Sequence, residues 1–274
     1  MTAPVALNVV TLGQPGRLPV IFVHGMAGTA GLWIISYAFW LLEHCHVIAY
    51  DQRGHGLSPA TPQGYRLVDQ ADDIERVRQD HAQGPAIVVG YSYGGHIATQ
   101  WAMRYPAQAR GLVVIDSPPL PLAPAQIAEL LHGVPQALGG EAAPDGPLVN
   151  RIRDRLDDSI RQRRRPLTRM KARLEALRET TFERDVLADV PFADDAYRAI
   201  RCPTLLLYAT RAGNLAFANR QQKLIPDCRT RLVDAEHDLV TRNTEAVREH
   251  LRDFLREVAD SPRSDVVQRD RGSR

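Results

Sequence analysis

A serine stands between two glycines in Gly90-Tyr91-Ser92-Tyr93-Gly94, directly after the apolar run Ala86-Ile87-Val88-Val89 and before a segment of helical character. A serine hydroxyl is a weak nucleophile at neutral pH. It becomes reactive where a tight strand-to-helix turn presents it to a base and leaves backbone N–H groups to receive an oxyanion. The glycines suit such a turn, since side chains there would collide with the adjoining strand and helix. Read this way, Ser92 does acyl-transfer chemistry. Taken alone, the five residues also fit an ordinary turn with a small residue at its centre.

Such a turn needs a strand behind it and a helix in front, and the chain supplies both repeatedly. Short runs rich in Val, Ile and Leu predict strands over 5–11, 19–23, 46–50, 86–90, 111–115, 203–208 and 229–233. Runs of this kind belong to strands buried on both faces. Helices are predicted over 31–42, 67–81, 93–104, 214–225 and 244–258, each between two strands or after the last. Strict alternation of this kind is the pattern of an α/β fold with a mostly parallel sheet flanked by helices. Only one strand precedes residue 19, so a short amino-terminal edge is expected.

The alternation stops after the strand ending at Ile115. Residues 118–201 read as helices and turns, with apolar residues at helical spacing over 125–131, 148–164 and 167–187, broken by Gly139-Gly140, Pro144 and Pro166. This is expected to be a helical lid inserted into a core formed by 1–117 and 202–260. The basic run Arg161-Gln162-Arg163-Arg164-Arg165 reads first as a solvated helix face and second as an anion site for a carrier phosphate or coenzyme. The charged stretch from Ala259, and the tail 261–274 above all, is expected to be disordered.

Composition narrows the partners. Apolar residues make up 44% of the 274, enough for a sizeable core, and 34 Lys plus Arg against 32 Asp plus Glu leave a net charge of +2. So even a balance points away from nucleic acid or an anionic membrane as partner and toward a small-molecule substrate. An acyl carrier or a second copy of the chain is left open. The first residues lack the basic start and apolar core of a secretory signal, and no run reaches the length of a membrane span. Cys45, Cys202 and Cys228 show no metal or redox spacing. A cytoplasmic protein is expected. In His44-Cys45-His46 the two imidazoles would share one strand face and the thiol the other, so no metal site is expected and no cofactor is implied.

Four motifs in fixed order resemble the α/β-hydrolase superfamily. Val20-Ile21-Phe22-Val23-His24-Gly25-Met26 resembles its strand and His-Gly turn, and Asp51-Gln52-Arg53-Gly54-His55-Gly56-Leu57-Ser58 its Asp-x-Arg-Gly-x-Gly-x-Ser turn. Gly90 to Gly95 resembles its nucleophile elbow, and Glu236-His237-Asp238 follows the last strand where the superfamily keeps its histidine. The resemblance implies that Ser92 attacks an acyl carbonyl while His237 takes its proton and later returns it. It implies an oxyanion hole from the backbone N–H groups of Met26 and Tyr93, with Gly25 and Tyr91 beside the substrate. Tyr91 serves equally well as a packing residue. Asp51 and Arg53 are expected to tie down their turn, and His24 and His55 to hydrogen-bond loops near it.

The acid departs from the family pattern. Many relatives carry it shortly after the strand that here ends at Tyr208-Ala209, where counting reaches Ala212, and no carboxylate occurs between Arg198 and Pro226. Asp116, at the end of Leu112-Val113-Val114-Ile115, is the replacement that some branches of the superfamily use. It keeps the chain order Ser92, Asp116, His237. A dyad completed by water or backbone, and a site that does not hydrolyse, stay open beside it. The resulting expectation is a serine hydrolase cleaving an ester, lactone or thioester of a small to medium apolar substrate. Acyl transfer or cyclisation, carbon–carbon bond hydrolysis and a catalytically weak ligand-binding protein are the alternatives.

Overall fold

Runs of Val, Ile and Leu pair through their backbones because neither face of such a strand can be left to water. The computed structural model describes residues 4–139, 145–147, 149–150 and 164–261. Among these, β1 (Val9–Leu12), β2 (Leu18–Val23), β3 (Cys45–Tyr50), β4 (Ala86–Tyr91), β5 (Ala109–Ile115), β6 (Thr204–Ala209) and β7 (Cys228–Val233) form one sheet. Their order is β1-β3-β2-β4-β5-β6-β7. Every pairing is parallel except that of β1 with β3.

Period-two alternation sorts the side chains to two cores. Ile21, Ile48, Val88, Val114 and Leu206 pack under the helices Leu67–His81, Tyr93–Arg104 and Leu215–Leu224. Val20, Val47, Ile87, Val113 and Leu205 pack against the opposite layer, which holds the helix Thr244–Asp260. That helix buries Val247, Leu251, Phe254, Leu255 and Val258, a stripe of three- and four-residue steps. The chain runs outward from β2 to β3 and then returns to the other side of β2 with β4. The strand order thus reverses between β2 and β4, and in open α/β sheets ligands bind at the carboxyl ends of the strands at such a point.

Three local expectations are corrected. The first strand pairs over four residues only, from Val9 opposite Tyr50 to Leu12 opposite Val47. Asn8 is engaged elsewhere, its N–H on Ser58 and its carbonyl on Asp51, and Gly13 at φ 87° ends the strand. The helix expected over 31–42 is α-helical at Ala30–Trp33, opens into a π-helical turn at Ile34–Ala38 and closes again at Phe39–Leu41. Within the turn Tyr37 is buried and donates its hydroxyl to the Val240 carbonyl at 2.7 Å. The last helix reaches Asp260, and the Ser261 N–H and hydroxyl both bond back to Glu257, so residues 259–261 are ordered rather than part of a disordered tail.

Between β5 and β6 the described residues are helical or irregular, including Pro124–Ala128, Val134–Gly139, Arg164–Arg178, Phe182–Leu187 and Asp194–Arg198. Most of the helix expected over 148–164, most of the basic run and the tail from 262 lie outside the described residues. Where it is described, the segment is fastened to the core. The Thr181 N–H donates to the Pro62 carbonyl at 3.0 Å, Arg173 to the Gly56 carbonyl at 3.0 Å, and Tyr65 N–H to Asp185 at 3.2 Å. No helix among the described residues is long and apolar enough to cross a membrane.

Candidate active site

Ser92 sits where β4 turns into the helix Tyr93–Arg104, with φ 55° and ψ −124°. A non-glycine residue held there is strained, and the surroundings must impose the geometry. They do so from β5: the Ser92 N–H donates to the Ile115 carbonyl at 2.8 Å, and the Ser117 hydroxyl donates to the Ser92 carbonyl at 2.7 Å. The glycines permit the close approach. A Cβ on Gly90 would stand 2.2 Å from the Gly94 carbonyl oxygen.

Asp116 follows β5 directly, at φ 45°, and is fully buried. Its N–H donates to the Leu207 carbonyl at 2.9 Å, and one carboxylate oxygen accepts the Ala209 N–H at 3.2 Å. The other accepts Nδ1–H of His237 at 2.6 Å. With Nδ1 carrying the proton, Nε2 presents a lone pair, and it lies 2.9 Å from Ser92 Oγ. Ser92, His237 and Asp116 therefore form one hydrogen-bonded line, and the tautomer is the one that can accept the serine proton. His237 reaches it from the loop after β7, four residues beyond Val233.

The sheet also sets the two N–H groups. Val23 pairs with Gly90, so Met26 and Tyr93, each three residues further on, leave adjacent strand ends. Among the described residues neither N–H meets an acceptor. That of Tyr93 opens a helix, where donors carry the positive end of the dipole. Gly25 lets the Met26 loop close on the elbow: a Cβ there would lie 3.1 Å from the Ser92 Cβ. Tyr91 turns its ring onto His237 and its hydroxyl onto the His237 carbonyl.

Residues 19–211 match the sequence profile of the alpha/beta hydrolase fold. The chain belongs to the α/β-hydrolase family. Over 115 residues it is 37% identical to a 2-(acetamidomethylene)succinate hydrolase of Mesorhizobium japonicum, covering 42% of this chain and 40% of that protein. Over 162 residues it is 32% identical to the human (lyso)-N-acylphosphatidylethanolamine lipase, covering 51% and 46%. The chain thus spans less than half the length of these curated relatives. The enol-lactonase of Burkholderia xenovorans superposes with a TM-score of 0.70 at 19% identity over 92% of this chain and 100% of that one, a likeness of fold.

In this α/β hydrolase the segment after β6 carries no carboxylate to the imidazole. Thr210 and Arg211 there continue backbone pairing with Val233 and Ala235. The turn after β3 behaves as its residues suggest. Asp51 accepts the N–H groups of Ala30 at 2.7 Å and Leu57 at 2.9 Å, and Arg53 forks onto Asp73 at 2.7 and 2.8 Å. Two contacts had no signal in local sequence, Ser117 on the Ser92 carbonyl and Asp189 on the Tyr93 hydroxyl. The Tyr93 hydroxyl donates to Asp189 at 3.2 Å, and the same carboxylate takes Arg66 at 2.7 Å and the Leu67 N–H at 3.2 Å. Burial raises the Asp189 carboxyl above the ordinary carboxylate range, with Arg66 pulling the other way.

Three imidazoles behind the site are buried and hold loops. His24 Nδ1–H donates to the Gly25 carbonyl at 2.7 Å while its Nε2 accepts the Gln52 N–H at 3.0 Å. His96 donates to the Pro118 carbonyl at 2.7 Å, and His55 lies beside His24. Burial, with repulsion from His55, drives His24 down to about 3, and burial drives His96 down to about 4. The unfolded chain protonates its histidines near 6.5. Below that pH it binds protons that the fold refuses, so this stability is complete above about 6.5 and is lost as pH falls toward about 4 for His96 and about 3 for His24. Tm is expected to fall from pH 6.5 to 5, and less steeply in His96→Gln, which keeps an N–H for Pro118. Equal slopes in thermal melts of the two proteins would remove His96 from this account.

Proposed function

We propose that this chain is a serine hydrolase that opens an ester, lactone or thioester of a small to medium apolar substrate through an acyl-enzyme. The observation that carries the reading is the pair of hydrogen bonds, 2.9 Å from Ser92 Oγ to His237 Nε2 and 2.6 Å from His237 Nδ1 to Asp116. Ser92 Oγ attacks the carbonyl carbon as its proton passes to Nε2. The carbonyl electron pair moves to oxygen, where the N–H groups of Met26 and Tyr93 receive it. Collapse expels the alcohol or thiol, which takes the proton from Nε2. Water then repeats the sequence on the acyl-enzyme, using the same imidazole as base. Asp116 keeps the imidazole in its accepting tautomer and stabilises the imidazolium.

Hydrolysis is favoured over other acyl chemistry because the relatives matched in sequence are named as hydrolases and a lipase. In this reading residues 118–201 are the lid over the site, fastened by Asp185 and Asp189. The setting is the cytoplasm, in keeping with three cysteines that are all free. A fluorophosphonate probe tests the chemistry. The wild type is expected to gain one adduct on Ser92 and Ser92→Ala none. Folded wild-type protein that stays unlabelled would reject an activated serine.

A further inference from the structure

The imidazole of His237 comes from a loop: β7 ends at Val233, backbone pairing runs on only as far as Ala235, and the next helix begins at Leu239. Catalysis by a base on such a loop needs something to set the ring plane, because a displacement of about 1 Å can cost about a hundredfold in rate. Asp116 and Ser92 each hold one ring nitrogen, which leaves rotation about the line between them and movement of the loop itself.

Tyr91 occupies both of these freedoms. Its ring packs on the His237 imidazole with centroids 5.2 Å apart and planes inclined by 28°. Its hydroxyl donates to the carbonyl oxygen of His237 itself at 2.8 Å. The ring also borders the loop after β2, since a Cβ on Gly25 would stand 3.4 Å from Tyr91 Cδ1. One side chain on the elbow thus touches the loop that carries the base and the loop that carries the Met26 N–H. Tyr37 holds the short helix that follows this loop, through the Val240 carbonyl. It acts on the backbone alone, and Tyr91 on both the ring and the backbone of His237.

We propose that Tyr91 is a positioning residue that clamps the general base, its ring fixing the plane of the imidazole and its hydroxyl fixing the backbone beneath it. The inference rests on the reading of Ser92 and His237 as nucleophile and base. Because Tyr91 adjoins Ser92 in sequence, the elbow orients its own base, and the two move together when β4 moves.

The test compares wild type, Tyr91→Phe and Tyr91→Leu in two ways. The first is kcat and KM on a simple aryl ester, with kcat counted per fluorophosphonate-labelled site. The second is the downfield proton resonance of His237 Nδ1–H in its short bond to Asp116. Tyr91→Phe keeps the stack and loses one hydrogen bond, for an expected fall in kcat of up to about tenfold. Tyr91→Leu loses both, for an expected fall of about a hundredfold with KM little changed and the resonance broadened or absent. A merely structural role would lower Tm and the labelled fraction while kcat per site and the resonance held. Wild-type kcat per site and an unchanged resonance in either variant would overturn the proposal. Should Tyr91→Leu not fold, Tyr91→Phe decides by the same readouts. A wild type that takes no label defeats the acyl-enzyme reading, and the clamp is then judged by the resonance, which needs no turnover. A wild type with neither label nor resonance defeats both.

Discussion

Asp116→Asn is expected to slow acylation of Ser92 by about 10⁴-fold, as loss of the orienting carboxylate does in other triads, with only a modest change in Tm. The size of the effect follows from proton placement. Asp116 accepts Nδ1–H, which leaves Nε2 with its lone pair toward the serine hydroxyl. An amide in its place can turn an N–H toward Nδ1, and the imidazole then carries its proton on Nε2, where it cannot accept another. The fold has little reason to change, because an asparagine oxygen can still accept the Ala209 N–H. Stopped-flow labelling with a fluorophosphonate measures the rate, and near-wild-type acylation would remove Asp116 from the mechanism. The same experiment separates a triad from a dyad, in which the substitution would cost little.

The position of Asp116 is legible in the sequence through the resemblance, since some branches of the superfamily keep an acid at the end of this strand. No carboxylate occurs between Arg198 and Pro226, where many relatives carry the acid, and the resemblance then implies Asp116, with a dyad as the alternative. The pairing of Tyr91 with Ile115 and of Ile115 with Leu207 supplies that geometry. Strands with two buried faces and the glycine-framed turns were legible for the same reason: their signals are local, written in runs of a few residues.

What local sequence did not carry is contact between distant segments. Tyr93 and Asp189 lie 96 positions apart, and no periodicity links them. The orientation of Tyr91 toward His237, 146 positions away, depends on where the loop after β7 lands. The π-helical turn at Ile34–Ala38 falls in a run whose helical spacing looks ordinary, and the bond of Tyr37 to Val240 spans 203 positions. The short β1 had the opposite cause. Its apolar residues promised a longer strand, but Asn8 is claimed by Ser58 and Asp51.

Gly94→Ala is expected to lose about 3 kcal/mol or more of stability, the upper end for overpacking, and with it a Tm shift of about 10 °C. An added Cβ would stand 2.4 Å from the His24 carbonyl oxygen and 2.6 Å from that of Val23. Both are backbone atoms at the end of β2, so relief requires the strand end to move away from the elbow helix. Whatever protein still folds should label slowly, because the loop that must yield carries the Met26 N–H proposed as an oxyanion donor, and loss of one such donor costs about 10²–10³ in rate. Gly95 offers the contrast. A Cβ there meets Ser117 Oγ at 2.0 Å, a side chain that can rotate at the cost of its bond to the Ser92 carbonyl. Gly95→Ala should therefore be the milder of the two in stability while still disturbing the turn. Gly31→Ala is the control, since its nearest neighbour is Thr29 Oγ1 at 3.2 Å and alanine suits a helix. Thermal melts of the three variants test the order. A Gly94→Ala protein as stable as Gly31→Ala would mean that the elbow helix and the end of β2 are not in close contact, and the proposed oxyanion geometry would lose its support.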